Sequence, residues 1–182
     1  ARPRFLGRRL VEDVSVADLE PYVDWTFFFS AWDLKGKYPK ILDDPKVGEA
    51  ARDLFENGRA LLRDIVEKRS LTPRGVYGFW PARRVDDDVV LYADEDLASE
   101  VARFPMLRQQ GVQAEGKPNR SLADYVAPKD AGVPDYVGAF AVTSGAEADD
   151  LAAHFEKDHD DYHSIMVKAL ADRLAEAFAE LL

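Results

Sequence analysis

The sequence contains no cysteine and no long apolar run. Without cysteine there is no disulfide framework, thiolate metal site or thiol nucleophile. The apolar runs are far shorter than the roughly 20 residues that a membrane-spanning helix needs. Residues 1–9 are basic but lack the apolar stretch of a signal peptide. We therefore expect a cytoplasmic globular protein that does not enter a membrane.

Positive charge is also scarce. The chain has 24 basic and 34 acidic residues, which gives a formal net charge of −10. This balance disfavours binding to nucleic acid or to anionic membrane surfaces, and it suits cationic ligands or basic partners. With 182 residues, of which 47% are hydrophobic, the chain has enough apolar surface for a core. At roughly 150 residues per domain we expect a single domain over residues 1–182.

Hydrophobic periodicity and turn residues predict a mixed helical and stranded chain. A helix is expected to begin at Ser15, and the aromatic segment 24–32 is expected to be helical until Gly36 and Pro39 interrupt it. The remaining expected elements are a helix over 44–70, strands over 75–80, 89–92 and 136–143, and a helix from about 145 to the end. The string Ser144-Gly-Ala-Glu147 has the spacing of a capping box for that last helix.

Two histidines in the last predicted helix suggest one metal chemistry. His159 and His163 are spaced i and i+4, so a continuous helix would place them on one face, as in zinc hydrolases. The acid that follows His159 is Asp rather than Glu, and no clear third ligand follows. The alternative is a solvated, charge-rich helix face, and we expect no specific metal site here.

Asp24 is a carboxylate within an otherwise apolar segment. Burying it alone would be costly, so it needs a partner. It is either an ion pair or helix cap, or a binding group for a cationic ligand. Trp25, Trp32 and Tyr38 are either core aromatics or cation–π partners of that ligand.

Several strings in the sequence resemble the activation domain of cobalamin-dependent methionine synthase. The resemblance runs in order from about residue 12 to the end of the chain. Its most specific string is His159-Asp-Asp-Tyr-His-Ser-Ile-Met-Val-Lys, which continues to Glu180. The other strings are Pro21-Tyr-Val-Asp-Trp-Thr-Phe-Phe, Lys35-Gly-Lys-Tyr-Pro, Pro73-Arg-Gly-Val-Tyr-Gly-Phe-Trp-Pro-Ala-Arg, Leu107-Arg-Gln-Gln, Leu122-Ala-Asp-Tyr-Val-Ala-Pro-Lys and Asp135-Tyr-Val-Gly-Ala-Phe-Ala-Val-Thr.

This resemblance implies a fold and a function. The implied fold is α+β, a bent antiparallel sheet flanked by helices, with a long C-terminal helix. The implied function is to bind S-adenosylmethionine at the C-terminal end of a modular methyltransferase. There the domain docks over cobalamin carried by a neighbouring module and positions the methyl donor for reductive methylation of cob(II)alamin. Flavodoxin or a similar flavoprotein supplies the electron.

The resemblance also assigns ligand-binding residues. It places the family's ligand-binding Asp on Asp24, and the acidic helix face that lines the same groove on Asp172 and Glu176. The family's Arg-x-x-x-Gly-Tyr motif is absent, so we expect the chain to lack roughly the last third of the domain. No residue of the chain is expected to act as a catalytic acid or base. The alternatives are a docking module without a functional ligand pocket and a metal-dependent hydrolase that uses His159 and His163.

A cluster of lysines suggests a docking surface. Lys35 and Lys37 flank Gly36 in an expected exposed loop just after the Asp24 segment. Flavodoxins are acidic, so a local basic patch on this acidic chain favours their approach. We predict that Lys35 and Lys37 contribute to docking of the electron donor; the alternative is an ordinary solvated loop.

Overall fold

The computed structural model describes residues 2–182, and these form two compact units. The first unit contains the residues up to Arg9 and Tyr77–Phe140, and the second contains Leu10–Val76 and Ala141–Leu182. Basic and acidic residues are equal in number in the first unit. The whole net charge of −10 therefore lies on the second unit.

The strands form one sheet. β1 (Gly7–Val11), β2 (Arg74–Val85), β3 (Asp88–Tyr92) and β4 (Glu100–Pro105) follow one another in the sheet, and β5 (Tyr136–Thr143) pairs with β2. The β2–β3 and β3–β4 pairs are antiparallel. β5 has the bounds that the sequence predicts, whereas the predicted strand over 75–80 is part of the longer β2.

Hydrogen bonds and ion pairs of Arg108 stabilise the irregular segment of the first unit. Arg108 hydrogen-bonds to Asp87 at 2.6 Å, to Asp124 at 2.8 Å and to the carbonyl of Asn119 at 2.7 Å. Hydrogen bonds from Arg108 hold the pKa of Asp124 well below its usual range. These bonds close the segment between β4 and the 3₁₀ turn at Leu122–Tyr125, where the sequence shows no clear periodicity.

The second unit is helical. Its helices are α1 (Val16–Leu19), α2 (Trp25–Ser30), α3 (Gly48–Lys68), α4 (Glu147–Lys157) and α5 (Asp161–Leu181). Ser15 caps α1 in a capping box with Asp18, which confirms the predicted helix start. Phe28, Phe29, Leu170 and Phe178 are completely buried in one apolar core.

The predicted helix from 145 to the end is interrupted. α4 ends at Lys157, and His159 adopts a left-handed φ of 58° before α5 begins at Asp161. The amide of Asp160 bonds to the carbonyl of Phe155 at 2.9 Å, and the Asp160 carboxylate caps α5 through the amide of His163. One residue in a left-handed conformation thus ends the first helix, and the next residue starts the second.

The predicted capping box at Ser144 and Glu147 is wrong. The N-cap of α4 is Ala146, which makes no side-chain capping bond. The Glu147 carboxylate instead accepts a hydrogen bond from the amide of Thr72 at 3.4 Å. The acid therefore links the helix start to the end of a distant loop.

The α+β class, the bent antiparallel sheet and the long C-terminal helix α5 are confirmed. The expectation of a single domain stays a prediction. Among residues 2–182, no helix has both the length and the apolar character needed to cross a bilayer.

One glycine tests the packing of α2. A Cβ on Gly58 of α3 would lie 2.6 Å from the Phe28 ring and 3.4 Å from the Trp25 ring. We predict that Gly58→Ala destabilises the protein by about 1–3 kcal/mol, because overpacking outweighs the roughly 1 kcal/mol gain in helix propensity. Thermal and urea unfolding measure the change. Gly111→Ala is the control, since its Cβ would meet only Gln113 at 4.0 Å; equal effects of both variants would contradict the packing argument.

Candidate functional site

Asp24 is the N-cap of α2. Its Oδ1 accepts a hydrogen bond from the amide of Thr26 at 2.8 Å, and the side chain is exposed. This confirms the helix-cap alternative. The bond uses one carboxylate oxygen and leaves the negative charge uncompensated, since Asp24 forms no ion pair within residues 2–182. The capping geometry and a ligand-binding role are therefore compatible.

Asp172 and Glu176 lie on the exposed face of α5, joined by a buried arginine. Their side chains are 69% and 65% exposed, whereas that of Arg173 is only 9% exposed. Arg173 contacts Asp172 at 2.5 Å and both oxygens of Glu176 at 3.1 Å. The helix thus presents two exposed carboxylates that both bond to one guanidinium.

Phe27 connects the two halves of the site. It lies three residues after Asp24, is 58% exposed, and its ring centre is 5.3 Å from the Arg173 guanidinium carbon. The helices α2 and α5 contact each other directly. The structure therefore places the predicted ligand residues of both sequence segments on neighbouring helices.

The predicted docking lysines lie beside the start of α2. The amide of Tyr38 donates to the Thr26 hydroxyl at 3.3 Å, which fastens the 35–38 loop to the same residue whose amide Asp24 caps. Lys35 and Lys37 are exposed on this loop. A small basic patch thus adjoins an acidic site.

The electrostatic balance at α5 depends on Arg173. Burial disfavours its charged form, but the ion pairs with Asp172 and Glu176 overcome that cost and raise its pKa. Arginine is charged throughout the physiological range in any case. With Asp24, the site therefore carries three carboxylates against one buried cation, an arrangement suited to a cationic ligand.

His159 and His163 do not share one helix face. His159 lies in the break between α4 and α5, whereas His163 is in the first turn of α5. The His163 Nδ1 contacts Asp160 Oδ2 at 2.7 Å, and its ring stacks on Phe155. No group of three or more potential metal-binding side chains occurs within residues 2–182. The prediction that His159 and His163 lie on one face of a continuous helix is therefore wrong.

The cavities of the second unit are separate from these carboxylates. A cavity of about 490 Å³ lies where the start of α1 meets the end of α3, and it is lined by Val16, Ile65 and Leu71 among others. A groove of about 460 Å³ runs along β1, β2 and β5. The Asp24, Asp172 and Glu176 side chains line neither, so the candidate site is an open surface of the second unit.

Sequence reasoning missed Phe27 and Arg173. A charged residue does not register in a hydrophobic pattern, yet Arg173 lies beside Leu174 on the buried side of α5. The spacing of Arg173 and Glu176 at i and i+3 is the signal that could have revealed the pair. For Phe27 the sequence has no signal that separates it from its buried neighbours Phe28 and Phe29.

Comparison with known proteins identifies related domains. Residues 15–182 match the family model described as vitamin B12 dependent methionine synthase, activation domain. A crystal structure of the MetH reactivation domain bound to AdoHcy matches with a TM-score of 0.93 and 51% sequence identity. The match covers 98% of this chain and 54% of the solved chain. The chain thus spans about half the length of that solved protein.

The capping role of Asp24 can be separated from its charge. Asp24→Ala removes the acceptor of the Thr26 amide, whereas Asp24→Asn retains an oxygen there. We predict that the Ala variant lowers the free energy of unfolding by about 1 kcal/mol and that the Asn variant changes it much less. Chemical denaturation of both variants measures this; equal losses would show that the cap contributes nothing.

Proposed function

Because the chain belongs to the vitamin B12 dependent methionine synthase activation domains, we propose that it binds S-adenosylmethionine and presents the methyl group to cobalamin. The reaction is the reductive methylation that returns cob(II)alamin to the methylated form. The observation that carries the proposal is the placement of Asp24, Asp172 and Glu176 on the contacting helices α2 and α5. A cytoplasmic location belongs to the same proposal.

The chemistry of the site fits this ligand. S-adenosylmethionine carries a sulfonium and an ammonium group, and carboxylates form strong charge-assisted contacts with such cations. The exposed ring of Phe27 adds a surface for a cation–π contact, which contributes about 0.5–2 kcal/mol. The uncompensated charge of Asp24 makes it the preferred partner of the ammonium group.

The related crystal structure supports the choice of ligand. That reactivation domain is bound to AdoHcy, which is S-adenosylmethionine without its transferable methyl group. At 51% identity, a shared ligand class is the simplest extension to this chain. Since the chain spans about half of the solved protein, the reaction of the whole enzyme is part of the proposal.

The task of this domain is positioning. Cobalamin, carried by a neighbouring module, supplies the metal-centred nucleophile that accepts the methyl group. The residues of this chain hold the donor so that its methyl group lies in line with that centre. No general acid or base is needed, because no proton is transferred in the methyl transfer itself.

A docking module without a functional ligand pocket is the second candidate. The openness of the site favours it: the three carboxylates line neither of the two cavities described above. Calorimetric titration with S-adenosylmethionine separates the two functions, since a pure docking module gives no saturable heat.

The proposed partners are the cobalamin-binding module of the same enzyme and flavodoxin or a similar flavoprotein. The basic patch of Lys35 and Lys37 provides the site for the acidic electron donor. Its position beside Asp24 keeps the electron donor and the methyl donor near the same end of α2.

We predict that Asp24→Asn weakens S-adenosylmethionine binding by about 10- to 150-fold, which corresponds to about 1.5–3 kcal/mol for a charged hydrogen bond. The variant keeps the helix cap, so folding is retained. Calorimetry measures the dissociation constant. Asp44→Asn is the matched control, because Asp44 is also exposed and accepts amide hydrogen bonds at 2.8 and 3.1 Å. Unchanged affinity in the Asp24 variant would remove this residue from the site.

We also predict that Lys35→Glu with Lys37→Glu slows reductive reactivation of the full-length enzyme. The effect shrinks as salt rises, because the Debye length falls from about 10 Å at 0.1 M to about 3 Å at 1 M. S-adenosylmethionine affinity stays nearly unchanged. Lys117→Glu with Lys129→Glu, on residues of the first unit, is the control for the same charge change. A normal reactivation rate at low salt excludes the loop from the docking surface.

A further inference from the structure

Arg173 is an unusual charged residue in the second unit. Its side chain is 9% exposed, although both of its carboxylate partners lie mostly in solvent. Surface ion pairs contribute little to stability, and a buried cation is costly unless several hydrogen bonds satisfy it. This guanidinium makes three such bonds, all to Asp172 and Glu176. Its contacts therefore point outward, to the two carboxylates that the ligand is proposed to meet.

The guanidinium also reaches the second helix of the site. The Phe27 ring lies over it at 5.3 Å, and Phe27 belongs to the helix that Asp24 caps. Removing Arg173 would thus free two carboxylates on α5 and one aromatic ring on α2 together. A single side chain therefore contacts both halves of the site.

We propose that Arg173 is a positioning residue of the ligand site, which holds the two carboxylates of α5 and the ring of Phe27 in one arrangement. This inference rests on the proposed function, because it concerns the same site. Arg173 acts through its neighbours and does not itself contact the ligand.

Arginine suits this task better than lysine. Its planar fork donates two parallel hydrogen bonds to Glu176 while its face remains available to an aromatic ring. A lysine ammonium group in its place retains the positive charge. It has no planar fork, so it cannot donate two parallel hydrogen bonds to Glu176 while a flat face lies against the Phe27 ring. Charge and geometry can therefore be separated by substitution.

Titrations with S-adenosylmethionine and with AdoHcy distinguish an effect of Arg173 on the charge of the site from an effect on the placement of its side chains. AdoHcy keeps the ammonium group but has no sulfonium charge, so its affinity depends less on the net charge of the site than that of S-adenosylmethionine does. We expect Arg173→Met to weaken AdoHcy binding by roughly 10- to 100-fold, the loss typical when residues that orient the ligands of a metal are removed. We expect Arg173→Lys to weaken it less. Arg59→Met is the matched control, since Arg59 also lies over a phenylalanine, Phe55, at 5.8 Å but belongs to α3.

A charge-only role gives the opposite pattern. If Arg173 merely offset the acidic charge, Arg173→Met would tighten S-adenosylmethionine binding and would not weaken AdoHcy binding; that pattern would overturn the proposal. A positioning role through Glu176 also predicts that the effect of Arg173→Met shrinks in a Glu176→Gln background. Full additivity of the two substitutions would overturn it as well.

Folding and ligand binding need separate controls. Circular dichroism checks that each variant is folded at the titration temperature, and Arg173→Lys carries the test if Arg173→Met does not fold. An Arg173→Lys variant that binds AdoHcy as tightly as the unaltered chain would contradict the need for a planar fork. If the unaltered chain bound neither ligand, the proposed function itself would fail, which is a different result from a failure of this inference.

Discussion

The position of the short helix α2 is the constraint on which the rest of the site depends. Phe28 is completely buried, and its ring occupies the space that a side chain at position 58 would need. Close approach of α3 therefore requires a glycine there. With Phe28 fixed on the inner side, the same helix must present Phe27 outward and Asp24 at its exposed end. Packing on one face thus determines what the other face offers.

The electrostatic design follows from this packing. The whole net charge lies on the second unit, where the buried guanidinium of Arg173 on α5 pairs with two exposed carboxylates. Water around the two carboxylates weakens their ion pairs with Arg173. The guanidinium itself is buried, and the Phe27 ring lies over it. Asp24 differs from Asp172 and Glu176 because its partner is a backbone amide, so its charge is not cancelled. The negative charge at Asp24 is therefore less compensated than the charges at Asp172 and Glu176.

Sequence patterns predict the regular elements well where local chemistry decides them. The capping box at Ser15 and the strand at 136–143 are local features, and both appear as expected. The helix break at His159 was not predicted, because neither glycine nor proline marks it in the sequence and His159 itself adopts the left-handed conformation. The hydrogen bond of Glu147 was not predicted for another reason: its partner, Thr72, is remote in sequence.

The site was predictable in part. Family strings place Asp24, Asp172 and Glu176, and the structure puts their helices in contact. Arg173 and Phe27 could not be assigned from periodicity, because their roles depend on one side chain lying over another. Phe27 and Arg173 are assigned to the candidate site by their contact in the folded structure, which residue type alone does not reveal.

The central claim is that these helices form a charge-selective site for S-adenosylmethionine. The most direct measurement is calorimetric titration of the unaltered chain with S-adenosylmethionine at increasing ionic strength. We expect saturable binding of one ligand per chain, with an affinity that falls as salt rises because exposed carboxylates provide the attraction. Absence of saturable binding at low salt would contradict it, and so would an affinity that does not respond to salt.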